Sequence, residues 1–144
     1  MTRNLVALFI PVLLAACGAA GASAPSGTNP AHCIAAFHYG RTIALRGRPA
    51  NVDLAVQSTA RALYEARKQK ARGGLGDGRA EGEALLARYA GNEKLMMGLL
   101  RDCLMQQDAD PDYRALNESG ALMAAARKTD PACREDALCR SRMR

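Results

Sequence analysis

The sequence predicts a small all-α domain, a bundle of about four to six short helices stapled by disulfides, carried behind an export segment and a flexible linker. Three observations predict it. Aromatics are only 4% of the 144 residues and there is no Trp, so the core must come from Leu, Met, Val, Ile and Ala; Ala and Leu favour helix, and the strand formers are scarce. Asn-Pro and Asp-Pro pairs recur at places where a cap followed by Pro starts a helix. After the leader, four cysteines remain, an even number in a chain that reads as exported.

Residues 1–16 are the export segment. Arg3 and the amino terminus give a short positive start, and Leu5 to Ala16 follow without a charge. Such a run is too short to cross about 30 Å of hydrocarbon, which needs about 20 helical residues, but it suits the apolar part of a signal peptide. It ends Leu14-Ala15-Ala16-Cys17, an aliphatic residue and two small ones before a cysteine. This resembles the lipobox of bacterial lipoprotein precursors. The resemblance covers only these residues. It implies that Cys17 receives a diacylglyceryl group, that signal peptidase II cleaves before it, and that Cys17 becomes the first residue of the mature chain, carrying acyl chains such as palmitate. Gly18 rather than Asp after the cysteine implies sorting to the outer membrane. Several acyl chains at about 0.8 kcal/mol per buried CH₂ hold a protein on a membrane almost permanently. The alternative is ordinary cleavage near Ala22-Ser23-Ala24, which would release a soluble periplasmic protein; Pro25 directly after that site argues against it.

Residues 17–30 read as the lipidated cysteine and a spacer. Gly18 to Asn29, GAAGASAPSGTN, has no charge and little to bury. The helical domain is expected over 31–144. Asn29-Pro30 starts its first helix, where Ile34, Phe37, Arg41 and Leu45 form a stripe with one charged interruption. Gly47 and Pro49 end it. Asn51 caps the second helix, with Val52, Ala55, Val56, Thr59, Ala60 and Leu63 on one face and Lys68, Lys70 and Arg72 as cations suited to its end. The glycines at 73–78 break the chain, and 79–90 form a short helix. Leu95 to Leu104 is the most apolar segment and is expected at the centre of the core. Asp110-Pro111 and Asp130-Pro131 start helices over 111–128 and 131–140, the first turning Tyr113, Leu116, Met123 and Ala126 inward.

Cys33, Cys103, Cys133 and Cys139 are the disulfide candidates. They pair in three ways, and the leading one is Cys33–Cys103 with Cys133–Cys139. Cys33 and Cys103 each lie on an apolar helix face. Cys133 and Cys139 are six residues apart, about 9 Å along an unbroken helix, beyond the roughly 7 Å a disulfide tolerates. They can therefore pair only if the chain bends between them.

No pattern for chemistry stands out, so no catalytic, cofactor or metal residue is assigned. His32, Cys33 and His38 are ligand types but match no zinc spacing, and no Cys-x-x-Cys exists. Asp108, Asp110 and Asp112 read as helix-start acids rather than a calcium loop. The glycine cluster lacks the ending of a phosphate loop. Asn117-Glu118-Ser119 matches a glycosylation triplet that means little in a bacterial chain. Met96, Met97, Met105 and Met123 read as core filling. His38 reads as a surface or capping residue.

The net charge of +6 becomes +5 once Arg3 leaves with the leader (19 Lys and Arg against 14 Asp and Glu), and Arg134, Arg140, Arg142 and Arg144 crowd the C-terminus. Attraction to anionic headgroups is one consequence; a solvated tail is the plainer one. Nucleic acid is not an expected partner, because the chain leaves the cytosol. The sequence thus predicts an envelope lipoprotein facing the periplasm, its domain binding or scaffolding a partner at the membrane. The alternatives are a small periplasmic enzyme or enzyme inhibitor, with a polar cleft that includes His32 or His38, and a carrier with an apolar cavity between helices.

Overall fold

The computed structural model describes residues 25–73, 76 and 78–143. Cys17 and the whole export segment lie outside the described residues, as do part of the glycine cluster and Arg144. Among the described residues there are eight helices and no strand: α1 Pro30–Arg46, α2 Val52–Ala71, α3 Arg79–Tyr89, α4 Glu93–Ala109, α5 Pro111–Glu118, α6 Ala121–Thr129, α7 Pro131–Glu135 and α8 Ala137–Ser141. The architecture is all-α, as the sequence predicts.

The helix starts have simple chemical causes. Six of the eight begin at an Asn or Asp whose side chain accepts a backbone N–H of the first turn: Asn29, Asn51, Asn92, Asp110, Asp130 and Asp136. Each occupies one of the donors that a helix leaves without an internal partner. The other two, α3 and α6, follow glycines in the left-handed region, Gly78 at φ 73° and Gly120 at φ 72°. A residue with a Cβ costs about 1–2 kcal/mol there. Gly120 corrects the single helix expected over 111–128: the chain turns at Ser119-Gly120 and restarts. Asp136 likewise divides the helix expected over 131–140. Its backbone is extended (φ −82°, ψ 123°), and its carboxylate accepts the Cys139 N–H at 2.7 Å.

That break makes the local disulfide possible. Cys133 and Cys139 lie 5.1 Å apart at Cα and are bonded, and Cys33 is bonded to Cys103 with Cα atoms 5.5 Å apart. The leading pairing from the sequence is the pairing in the fold.

The centre of the bundle is α1, which corrects the expectation for α4. Ala31, Cys33, Ile34, Ala35, Ala36 and Phe37 are all buried, because α1 is enclosed by α2, α3 and α4. Its alanines let three helices approach closely. On α4 only Met96, Leu99, Cys103 and Gln107 are buried, while Leu95, Leu100 and Leu104 sit at the margin. A first core joins Cys33, Ala36, Phe37, Ala62, Leu85, Met96, Leu99 and Cys103. A second joins Val56, Ala60, Tyr64, Tyr113, Leu122, Ala126, Cys133 and Cys139. Of the face expected on 111–128, Tyr113 and Ala126 are buried and Leu116 and Met123 pack against them.

The folded region begins earlier than residue 31. Pro25, Ser26, Gly27 and Asn29 are half-buried. The Ser26 N–H donates to His32 Nδ1 at 2.9 Å. Gly27 crosses α4 so closely that a Cβ there would meet Asp102 at 3.2 Å. The last residues of the expected spacer, 25–29, are therefore a strap against α1 and α4.

Candidate functional site

The most deeply buried polar side chains, Glu65, Gln107 and Asp130, lie at two places, and α2 contributes to both. At the first, Gln107 of α4 sits fully inside. Its Nε2 donates to Glu65 Oε1 at 2.9 Å and to the Arg61 carbonyl at 3.2 Å, and its Oε1 accepts from Arg61 at 3.0 Å. One turn on, Tyr64 donates to Asp110 at 2.7 Å and Lys68 reaches the same oxygen at 3.3 Å. Burial pushes the Glu65 carboxyl up from its ordinary value, against the opposing effects of Gln107 and Lys68. Burial and the bond to Asp110 also push the Tyr64 phenol up. This network locks α4 and α5 onto α2. Lys68, expected only as a helix-end cation, is part of it.

At the second place Asp130, the cap of α7, is fully buried. It takes a bidentate pair from Arg41 of α1 (2.7 and 2.8 Å), the Thr59 hydroxyl of α2 at 2.5 Å and the Ala132 N–H at 2.9 Å. Burial alone would raise this carboxyl, but the bonds from Arg41, Thr59 and Ala132 outweigh it and hold it below the usual carboxylate range. Arg41, the charged interruption in the first stripe, is thus one half of an ion pair that joins residues 89 apart.

Beside this pair lies a cleft of about 450 Å³ between α1, α2 and the Thr129–Pro131 joint. A volume in this range suits a small ligand. One wall is apolar, from Ile34, Ala62, Leu63 and Ala66; the polar groups are His38, Arg41, Thr59, Arg79, Thr129 and Asp130. His38, expected as a surface or capping residue, is half-buried and lines this cleft. Burial, followed by the nearby charges of Arg79 and Arg41, lowers its affinity for a proton below the ordinary value. The shift favours the neutral ring, which has one nitrogen to donate and one to accept.

The cleft offers little for covalent chemistry. Thr59 donates to Asp130 and Thr129 to the Ala125 carbonyl, so neither hydroxyl is directed at His38. The Asp130 oxygens are both occupied. No family model, no curated protein and no solved structure matches this chain.

The remaining candidates from the sequence are dispersed. His32 accepts from Ser26 and its Nε2 lies 3.9 Å from Glu81. Among the described residues no three acidic, His or Cys side chains are grouped to hold a metal. Of the three alternating aspartates, Asp110 caps α5, Asp108 pairs with Arg61 at 2.8 Å, and Asp112 lies in the first turn of α5. Of the C-terminal arginines, Arg134, Arg140 and Arg142 are exposed, as expected of a solvated tail, but each also has a partner. Arg134 donates to the Lys128 carbonyl, Arg140 to those of Arg134 and Glu135, and Arg142 pairs with Asp53 of α2 at 2.9 Å. Of the four methionines expected inside, Met96 is buried and Met123 half-buried, but Met97 and Met105 are exposed. No described helix is long and apolar enough to cross a membrane.

Proposed function

We propose that this chain is a lipid-anchored envelope protein whose helical domain is a binding module, with the His38 cleft as its recognition site. The cleft carries the proposal: it has the volume for a small ligand, but its carboxylate and both its hydroxyls are engaged by other partners. Binding needs shape and a few oriented polar groups; catalysis needs an activated group, and this arrangement supports only the former. The ligand it fits has an apolar body, to lie on Ile34, Ala62 and Leu63, and a hydrogen-bonding end for His38, beside Arg41 and Arg79, which are paired with Asp130 and Glu83.

Address and anchor rest on the lipobox and agree with two disulfides, which persist in oxidising compartments. The module is tested by mapping amide shifts against a library of small organic acids. Shifts should cluster at Ile34, His38 and Leu63, and His38→Ala should abolish them. Shifts confined to other surfaces, or turnover of an added compound that depends on His38, would overturn the assignment. The anchor is tested separately: a Cys17→Ser precursor should lose membrane attachment, and one anchored as before would refute it.

A further inference from the structure

The face of α4 turned away from the core carries Lys94, Met97, Arg101 and Met105. These positions fall at spacings of three and four along the helix, so they share one side of it. All four are exposed, Met97 by 45% and Met105 by 59%. Two bare methionines alternating with two cations form an apolar stripe with a basic flank, and Asp102 beside Arg101 (3.5 Å) only partly offsets it. No described element covers this stripe.

The entry of the chain says what does. The folded domain starts at Pro25, and Pro25, Ser26 and Gly27 line a shallow hollow together with Asp102, Met105, Gln106 and Ala109 of α4. The strap therefore arrives beside Met105. Cys17 is eight residues before Pro25. Whatever its conformation, eight residues span at most about 29 Å. A domain of this size is roughly 35 Å across, and α4 itself is about 25 Å long. A tether that short, entering the domain beside Met105, keeps the stripe within reach of the surface that holds Cys17.

We propose that the Lys94–Met97–Arg101–Met105 face of α4 rests on the membrane, the methionines at the level of the headgroups and the two cations on their phosphates. This rests on the reading of Cys17 as lipidated. The chemistry fits a lipid surface: exposed apolar side chains flanked by Lys and Arg bind at an anionic interface by apolar burial plus charge attraction. The acyl anchor supplies the affinity, and the stripe sets the orientation. The His38 cleft, on the α1–α2 side, is then held clear of the bilayer.

The chain contains no Trp, so one introduced indole reports alone. The mature lipidated protein is placed in vesicles of phosphatidylethanolamine and phosphatidylglycerol containing brominated lipid, as Met97→Trp, Met105→Trp or Leu138→Trp. Leu138 is the control, an exposed apolar residue on α8, which packs on α7. Quenching is expected to be several-fold stronger at positions 97 and 105 than at 138. It should fall at both when Lys94→Glu and Arg101→Glu are added. Intact mass of the same samples separates two failures. Equal quenching at all three positions in a chain bearing lipid on Cys17 overturns the orientation and leaves the anchor. A chain without lipid on Cys17 overturns both.

Discussion

The core around Cys33 and the core around Cys133 use different faces of α2 and are closed in different ways. In the first, three helices surround the small residues of α1, and the disulfide joins residues 70 apart. In the second, α6, α7 and α8 pack on Val56, Ala60 and Tyr64, and the disulfide joins residues only six apart. The first bridge limits the unfolded chain far more than the second. In exchange, the second region is attached through polar contacts: Asp130 ties α7 to Arg41 and Thr59, and Arg142 returns to Asp53. A helical domain with few aromatics can thus be held by a long covalent loop on one side and by buried ion pairing on the other.

The comparison can be broken by removing the bridges one at a time. Replacing Cys33 and Cys103 by Ala should cost about 4 kcal/mol in the chain-entropy account, and replacing Cys133 and Cys139 about 2 kcal/mol. Urea unfolding of both variants measures the gap, and equal losses would contradict it. Asp130→Ala should cost about 3 kcal/mol, because it leaves Arg41 charged and half-buried and removes the α7 cap. Arg41→Met with Asp130→Asn should recover part of that loss. Gln107→Leu should cost about 2 kcal/mol, since it leaves Glu65 and the Arg61 carbonyl without their donor.

Titration tests the same contrast more gently. Asp130 and Asp110 have carboxyls held below their ordinary value, so the folded state binds fewer protons there than the unfolded one. Their contribution is complete above about pH 4 and is lost as pH falls below it. His38 is also lowered, from 6.5; folding favours its neutral form, so stability should begin to decline as pH drops below that value. Thermal melts of the parent and of His38→Gln between pH 4 and 8 should differ in slope only at the acid end. The smallest effect is expected at Arg127, whose Nε is buried without a hydrogen-bond partner among the described residues. Arg127→Met should change stability by less than about 1 kcal/mol or raise it.

How much of this was visible in the sequence follows from how local each cause is. Asn29-Pro30, Asp110-Pro111 and Asp130-Pro131 announce helix starts within two residues, and all three are helix starts in the fold. Asp136 and Gly120 act just as locally, but neither has a proline to mark it, and both interrupt stretches whose apolar spacing continues across them. The condition for the Cys133–Cys139 bridge, a bend, was legible; the residue that supplies it was not. The centre of the core was misplaced because hydropathy weighs Leu95 to Leu104 above Ala31, Ala35 and Ala36, although close helix approach depends on the small residues. Arg41 in an apolar stripe, and His38 in the alternative of a polar cleft, are the visible traces of the cleft. The partner of Arg41 lies 89 residues away, a distance over which periodicity carries no information.

The most direct test of the account is an intact mass of the protein recovered from membranes, alkylated under denaturing, non-reducing conditions. The expected species begins at Cys17, carries acylated diacylglyceryl on that residue, and takes up no alkylating agent at Cys33, Cys103, Cys133 or Cys139. A chain that still begins at Met1, with four alkylated domain cysteines, would contradict the anchor, the address and the bridges together.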